Sequence, residues 1–338
     1  YRIPVQLISS GHDVDGPPVA LDIDFDQAIS DLGGTGSFDP ASLRVVVQDC
    51  SLGQPELPSQ FLDGHWGIFE KQDHTDPEGD GAGSVAFLYD LDGDYGTLES
   101  MPALTDLSVA LYFGTEGEDP GYETGLSAST AQLDSGVSQA NFSSAQGGLL
   151  DTFYYEGSPS LSSQTDSCCG NGAYTSSWYE TPMYTTGTLE LHVDGPVVSI
   201  LEASGDIGGY DFSYTYWMFA GRPELWTKTN QVTNSTVTFN HPDDFVFGVR
   251  PWESRQDNIS SGAVFTTDPA AEYCDVSNGT WGLSFGYRQP PVNADHISNY
   301  DPYIIVVGTD YAPSGSGAPF TLPAGVRFID QEILLLLL

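Results

Sequence analysis

Apolar and polar residues alternate strictly in "LDIDFD" (21–26). Leu21, Ile23 and Phe25 share one face, and Asp22, Asp24 and Asp26 the other. This period of two is the signature of a half-buried strand. Further β-branched or aromatic runs follow: "LRVVVQ" (43–48), "SVAFLY" (84–89), "LSVALYF" (107–113), "TLELHV" (188–193) and "VVSILE" (197–202). After them come "DFSYTYWMF" (211–219), "STVTFN" (235–240), "DFVFGV" (244–249) and "PYIIVVG" (302–308). Each is bounded by Gly, Pro, Asp or Ser, as strands are. Only "DQAISDLG" (26–33) reads as a helix, about two turns long, with Gly33 placed to stop it. The pattern predicts an all-β protein: two antiparallel β-sandwich domains, jelly-roll or supersandwich-like, plus a C-terminal extension strand.

Turn formers set the expected boundaries. "GTEGEDPGYETGLSASTAQLDSGVSQ" (114–139) holds few core-forming residues, so 1–113 is expected as the first sandwich and 114–145 as a linker. The second domain is then 146–310, "YAPSGSGAPFTLPAG" (311–325) is a second linker, and 326–338 is an apolar strand.

Composition narrows the partners. The 338 residues carry 47 acidic and 9 basic side chains, a formal net charge of -38, and Lys71 and Lys228 are the only lysines. Such a surface repels nucleic-acid phosphates and anionic membranes, which excludes both as partners. No run of about 18 apolar residues is present, so no helical membrane span is expected. The acidic excess reads first as a solvated coat.

Four cysteines, Cys50, Cys168, Cys169 and Cys274, form no zinc spacing, and their even number points to two disulfides. A Cys168–Cys169 bond would be strained, because neighbouring Cα atoms lie ~3.8 Å apart and disulfides span ~4.4–6.8 Å. Cys50 and Cys274 are therefore each expected to bond one of the vicinal pair, in an oxidising compartment. Four of the nine asparagines stand in glycosylation sequons: Asn141, Asn234, Asn258 and Asn278. N-linked glycans and a secreted, extracellular or cell-surface location follow as expectations. A start at Tyr1 fits a mature chain whose leader was removed.

The segments "YRIPVQL", "PPVALDIDFDQAISDLGGTGSFDPASLRVV", "ELPSQF" and "VALYFG" resemble an N-terminal β-sandwich module of large secreted bacterial and archaeal surface proteins. "DGPVVSILEASGDIGGYDFSYTYWMFAGRPELWTKT" resembles the β-supersandwich that follows this module in exo-rhamnogalacturonan lyase-like proteins. In those enzymes a large helical domain supplies much of the active site, and no counterpart is expected here. The resemblance implies the fold alone and carries over no catalytic residue.

Few motifs carry chemistry. In "DLDGDYG" (90–96), Asp90, Asp92 and Asp94 can converge on a hard cation such as calcium, with Gly93 allowing the bend; a plain acidic turn is the competing reading. An EF-hand is excluded, because its twelfth position is Met101 rather than Glu. "HDVDG" (12–16) and "DPEGDG" (76–81) are weaker versions. Six scattered histidines lack paired spacing, and alternation in "TLELHV" puts His192 on a polar strand face with Thr188 and Glu190. "GLSFG" (282–286) matches a nucleophile-elbow pattern at Ser284, but the prolines after it oppose the helix that an elbow needs. Tryptophans in "SWYETPMY" (177–184) and "YTYWMF" (214–219) could stack on sugar; packing is the first reading.

The chain stops in "ILLLLL". Val326, Phe328, Ile333, Leu334, Leu335, Leu336, Leu337 and Leu338 form an apolar segment too short to span a bilayer. The expectation is an ordered strand held in a groove of an identical subunit, so that strand exchange builds an extracellular glycosylated filament or surface layer. Folding back as the last strand of its own domain is the alternative for the tail. A secreted carbohydrate-binding or lyase-like module is the alternative for the function. No enzymatic activity is assigned.

Overall fold

A computed structural model describes residues 1–8, 14–16, 18–49, 52–63, 81–92, 99–101, 103, 106–155, 161–162, 173–174, 179–180, 185–239, 245–249, 264–266, 273–277, 282–287, 293–300, 303–309 and 320–337. Contacts divide the chain into two units. Unit 1 holds Tyr1–Ser127 with Val193–Ser199 and Phe219–Arg222; unit 2 holds Ala128–His192, Ile200–Met218 and Pro223–Leu338.

Unit 1 contains β1 (Arg2–Ile8), β2 (Val14–Asp15), β3 (Pro18–Asp24), β4 (Arg44–Val47) and β5 (Glu56–Leu57). It continues with β6 (Ser59–Asp63), β7 (Ala82–Leu88), β8 (Ser100–Met101) and β9 (Asp106–Tyr112). A sheet of order β1-β9-β4-β5 and a sheet of order β3-β7-β6 enclose one apolar core. Alternation fills that core: Leu21 and Ile23 from β3, Val45 and Val47 from β4, Val85 and Phe87 from β7, Val109 and Leu111 from β9. The helix α1 spans Phe25–Asp31, so it starts one residue before the expected position. Its N-cap is Asp24, whose carboxylate accepts a hydrogen bond from Gln27 N at 2.8 Å. Phe25 and Ile29, one turn apart, enter the core, and Phe25 stacks on Phe38 with centroids 4.1 Å apart. Gly33 leaves the helix at φ +76°, a conformation glycine adopts without a Cβ penalty.

The division at Ser127 falls inside the expected linker 114–145, which is largely structured. Its first part is tied to unit 1: Gly117 N donates to Asp39 Oδ2, the Arg44 guanidinium to Glu118 O, and the Tyr122 hydroxyl to Glu56. Its second part forms strands of unit 2. These are β10 (Ser127–Ser129), β11 (Gln132–Asp134) and β12 (Ser138–Ser143), followed by β13 (Leu149–Tyr155) and β14 (Leu161–Ser162) in one five-stranded antiparallel sheet.

Then come β15 (Ala173–Tyr174), β16 (Tyr179–Glu180), β17 (Thr188–Asp194), β18 (Val198–Ile207), β19 (Tyr210–Phe219) and β20 (Glu224–Thr233). The remaining strands are β21 (Val237–Phe239), β22 (Phe245–Val249), β23 (Val264–Thr266), β24 (Tyr273–Ser277), β25 (Gly282–Tyr287), β26 (Asn293–Tyr300), β27 (Tyr303–Thr309), β28 (Phe320–Leu322) and β29 (Arg327–Leu337). An eight-stranded sheet of order β17-β18-β19-β20-β29-β25-β24-β23 dominates unit 2. The five-stranded sheet packs on one of its faces. Phe142 of β12 meets Tyr216 of β19 with ring centroids 4.4 Å apart, and the Tyr216 hydroxyl donates to Gly148 O. Gly148 is needed there: its φ is +76°, and a Cβ would lie 2.3 Å from Ala203 Cβ. The described residues thus form an all-β, antiparallel sandwich architecture.

The tail is an inner strand. β29 pairs antiparallel with β20 from Glu224↔Leu336 to Val232↔Arg327, and with β25 from Leu283↔Leu337 to Tyr287↔Ile333. Both of its edges are occupied within its own chain, so Leu334 to Leu337 sit in the sheet as its last-added strand, and exchange into a neighbour would require β29 to leave both partners. Val326 is half-buried and its N–H donates to Thr233 Oγ1; Leu338 lies outside the described residues.

Candidate functional site

The inner face of the long sheet is aromatic. Tyr210, Phe212, Tyr214 and Tyr216 alternate along β19 and are buried. The intervening Asp211, Ser213, Thr215 and Trp217 must therefore lie on the opposite face. β20 continues this face. Its register sets Ser213 opposite Asn230, Thr215 opposite Lys228, and Trp217 opposite Trp226.

β18 joins through a two-residue turn, Gly208–Gly209, with φ of 58° and 107°. Such a turn closes a regular hairpin between Ile207 and Tyr210, which carries Glu202 opposite Thr215 and Ile200 opposite Trp217. The same register holds at the far end, where Ala220 N donates to Val197 O. Ala203 and Leu189 approach Gly148 on the inner face, so Glu202 on β18 and His192 on β17 take the outer one. His192 Nε2 lies 3.5 Å from Glu202 Oε2.

One row therefore crosses four adjacent strands: His192, Glu202, Thr215 and Lys228. Backbone register continues it to Glu332 on β29. At about 4.8 Å per strand, the row from His192 to Lys228 spans roughly 14 Å. A parallel row holds Ile200, Trp217 and Trp226, and a third holds Ser204, Ser213 and Asn230. Thr215, Trp217 and Lys228 are buried at the centre; Glu202, Ser213, Trp226 and Asn230 are half-buried around them, and His192 and Asp211 are exposed.

The electrostatics are uneven. Burial, the largest cause, raises the Glu202 pKa above the ordinary carboxylate value; His192 opposes the shift and Glu190 adds to it. Lys228 is only 9% exposed, and among the described residues no hydrogen bond or ion pair meets its ammonium. Trp217 Nε1 and Asn230 Oδ1 are buried atoms without a hydrogen-bond partner. Buried polar groups ordinarily find partners, so these two atoms mark the face as a candidate site. It can stack a flat apolar face on Trp226, donate from Lys228 and Trp217, and accept at Asn230 and Glu202.

Other candidates stand apart from this array. Asp90 is buried and Asp92 exposed, while Asp94 lies outside the described residues; among those described, no group of three His, Cys, Asp or Glu could hold a metal ion. Asn141 is half-buried on β12, with its Oδ1 accepting from Gln132 and its Nδ2 donating to Thr152. Asn234 is exposed after β20, and its Nδ2 donates to Asp206 Oδ2 at 2.6 Å and Asp211 Oδ1 at 2.9 Å. Asn258, Asn278, Cys50, Cys168 and Cys169 lie outside the described residues, as does the side chain of Cys274 on β24. Ser284 sits in mid-strand on β25, opposite Asp275 and Leu336, not at the strand-to-helix turn a nucleophile elbow requires.

Sequence reasoning placed His192 on a polar face but did not reach Glu202, Lys228, Trp226 or Asn230. The Gly208–Gly209 hairpin, which sets Glu202 beside Thr215, and the short connection from Phe219 to Glu224, which sets Lys228, Trp226 and Asn230 beside β19, were the signals that join them.

No protein-family model matches the chain, and no curated protein matches it. Solved structures share its fold. An alpha-mannosidase from Enterococcus faecalis V583 aligns with a TM-score of 0.53 and 13% identity, covering 100% of this chain and 43% of that one. A protein in the Glycosyl Hydrolase Family 38 from Enterococcus faecalis aligns with a TM-score of 0.54 and 14% identity, covering 99% and 44%. This chain thus spans less than half the length of either, and what it shares with them is a β-rich fold also found in carbohydrate-related proteins.

Proposed function

We propose that this chain is a secreted, sugar-recognising β-sandwich module. One arrangement supports the reading: Trp217 and Trp226 as cross-strand neighbours, with Thr215, Lys228, Glu202 and Asn230 beside them on one sheet face. Sugars present apolar C–H faces edged by hydroxyls, and aromatic rings flanked by donors and acceptors match both features. The sequence resemblance to the sandwich and supersandwich modules of exo-rhamnogalacturonan lyase-like proteins is consistent with this reading and leaves the ligand open. Two disulfides among Cys50, Cys168, Cys169 and Cys274 and glycans on the sequons complete the extracellular picture. Asn234 is the described sequon best placed for a bulky group.

The test is direct. Titration of the full chain with soluble oligosaccharides should change tryptophan fluorescence, and Trp226→Ala should weaken binding at least about ten-fold without altering the melting profile. If no oligosaccharide binds at millimolar concentration, the proposal fails.

A further inference from the structure

We infer that this chain forms a two-fold dimer in which β17 pairs edge to edge with β17 of a second copy. The tail cannot join a neighbour without leaving β20 and β25. β17 instead ends the eight-stranded sheet, so pairing there requires no described strand to leave its place. A strand at a sheet edge offers backbone N–H and C=O groups to a further strand, and edges are commonly guarded by Pro or Lys. β1 shows the guarded case. Tyr1 and Phe113 exchange both backbone hydrogen bonds, so alternation turns Pro4 away from β9, where it gives the outer edge no N–H. β17, "TLELHVD", contains neither Pro nor Lys.

Its sequence says what fits the edge. Thr188, Glu190, His192 and Asp194 are exposed on one face, and Leu189, Leu191 and Val193 are half-buried on the other. An antiparallel partner must keep these faces together, so apolar residues oppose apolar ones. A copy of β17 centred on Leu191 matches all seven residues. Leu191 then opposes Leu191 of the second copy, and Leu189 opposes Val193. Glu190 opposes His192 twice, once on each side of the axis, and Thr188, a hydroxyl donor, opposes Asp194. The neighbouring registers fail. Centring on Glu190 sets two glutamates face to face, and centring on His192 sets Glu190 against Asp194 and histidine against histidine. Like charges directly opposite each other destabilise a sheet. One register of this strand with itself thus joins every apolar position and both opposite-charge pairs, which is the self-complementarity of a two-fold contact.

The charged groups facing His192 in the pair are Glu202 on β18, Glu190 and Asp194 on its own strand, and Glu190 of the second copy. All are acidic, which suits a charged imidazole at mildly acid pH. Seven residues a side fall short of the ~20–30 that a stable interface uses, so the dimer is weak, with a dissociation constant of roughly 10–500 μM. The two-fold axis of an antiparallel pair stands perpendicular to the sheet and leaves both tryptophan faces on one side. β19 and its counterpart are then five strand spacings apart, roughly 24 Å, so a polymeric ligand could engage both copies. Only this last consequence rests on the sugar reading.

The experiment is sedimentation equilibrium of the full chain without sugar, from ~10 μM to ~1 mM at pH 6 and ~0.15 M salt, where a Debye length of ~8 Å screens most long-range repulsion between two chains of net charge -38. A monomer–dimer equilibrium is expected, and amide hydrogen exchange in Thr188–Asp194 should slow as concentration rises. Glu190→Arg and His192→Glu, each set against a like charge in the second copy, should weaken the dimer at least about five-fold, and the double variant should restore it. Glu190→Arg also lowers the net charge, so a general charge effect would tighten association instead. Each variant is compared by its melting profile, and the exchange measurement stands even if one fails to fold. A chain that stays monomeric to ~1 mM overturns the inference. So does a dimer that leaves exchange in Thr188–Asp194 unchanged, or whose single variants are not rescued by the double one. Sugar binding by a strict monomer leaves the proposed function intact, and a dimer that binds no oligosaccharide removes that function alone.

Discussion

Deleting residues 327–338 should unfold the long sheet rather than release a folded monomer. β29 is matched to nine residues of β20, from Glu224 to Val232, and to five of β25. An antiparallel ladder averages about one backbone hydrogen bond per matched residue, and each is worth ~0.5–1.5 kcal/mol net, so the loss is roughly 7–20 kcal/mol. That equals or exceeds the whole stability of a typical domain, about 5–15 kcal/mol. The deletion also strands β25, β24 and β23, which reach the rest of the sheet through β29. Urea unfolding followed by tryptophan fluorescence reports directly, because Trp217 and Trp226 stand in the affected sheet. The truncated chain should lose that transition and become protease-sensitive from residue 128 onward, while the core of unit 1 keeps a residual one. Replacing Gln331, the partner of Thr229, by proline is the milder version and should cost about 3 kcal/mol or more. A truncated chain with the wild-type urea midpoint and intact near-ultraviolet signal would refute this. If such a chain had also lost the ability to self-associate, the tail would belong in a neighbour's sheet, and the filament reading would be restored.

Three further perturbations follow from single contacts. Gln60 Oε1 accepts from Val197 N and Val198 N at 3.0 Å each, so Gln60→Leu leaves two buried donors unpaired and should cost about 2–6 kcal/mol by urea denaturation, whereas Gln60→Glu keeps the acceptor and should cost less. Gly148→Ala should lose at least ~2 kcal/mol, through left-handed strain and the clash with Ala203, while Gly33→Ala, with the same φ of +76° and nothing within 4 Å, should lose only the strain of about 1–2 kcal/mol. Equal losses at the two glycines would deny the close approach of the sheets at Gly148. The raised Glu202 pKa means that the folded chain holds a proton more tightly than the unfolded chain, so this group's contribution is most favourable at low pH and declines as pH rises through the raised value. Glu202→Gln should therefore raise the melting temperature at pH 7, and the gain should vanish below about pH 4, where an ordinary glutamate is protonated too. A gain that persists unchanged at low pH would contradict burial as the cause.

How much of this could be read beforehand depended on how local each feature is. "LDIDFD" predicted the inward Leu21 and Ile23 of β3 because its period is complete within six residues. The helix was visible at 26–33 for the same reason, with its stop at Gly33 close by, although its cap Asp24 and its first residue Phe25 were not read from the sequence. The supposed linker misled because β11 and β12 bury little: Leu133, Ala140 and Phe142 alternate among Ser, Gln and Asn, and the polar positions look like a loop. The tail was read as a strand, but its partner was not, since β29 pairs with β20 about a hundred residues upstream and nothing local specifies that choice.

The candidate site shows the same division within one array. Its members, His192, Glu202, Thr215 and Lys228, follow no motif, and their spacings of ten, thirteen and thirteen residues mean nothing until the strands are paired. Pairing is almost local here. The glycines at 208 and 209 set Glu202 opposite Thr215, and the tight connection after Phe219 sets Thr215 opposite Lys228. Two hairpin turns therefore align the row, and both are legible in "GDIGGYDFSYTYWMFAGRPELWTKT". What those turns leave open is which face packs on the second sheet, because β19 carries Tyr214 and Tyr216 on one side and Trp217 on the other, and all three are aromatic. The choice is made by Gly148 and Phe142, which accept the tyrosine face against the second sheet and leave the tryptophans with Lys228. A fold can thus write a row of side chains in local turns and still conceal it, because the residues that decide which face the row takes belong to a different sheet.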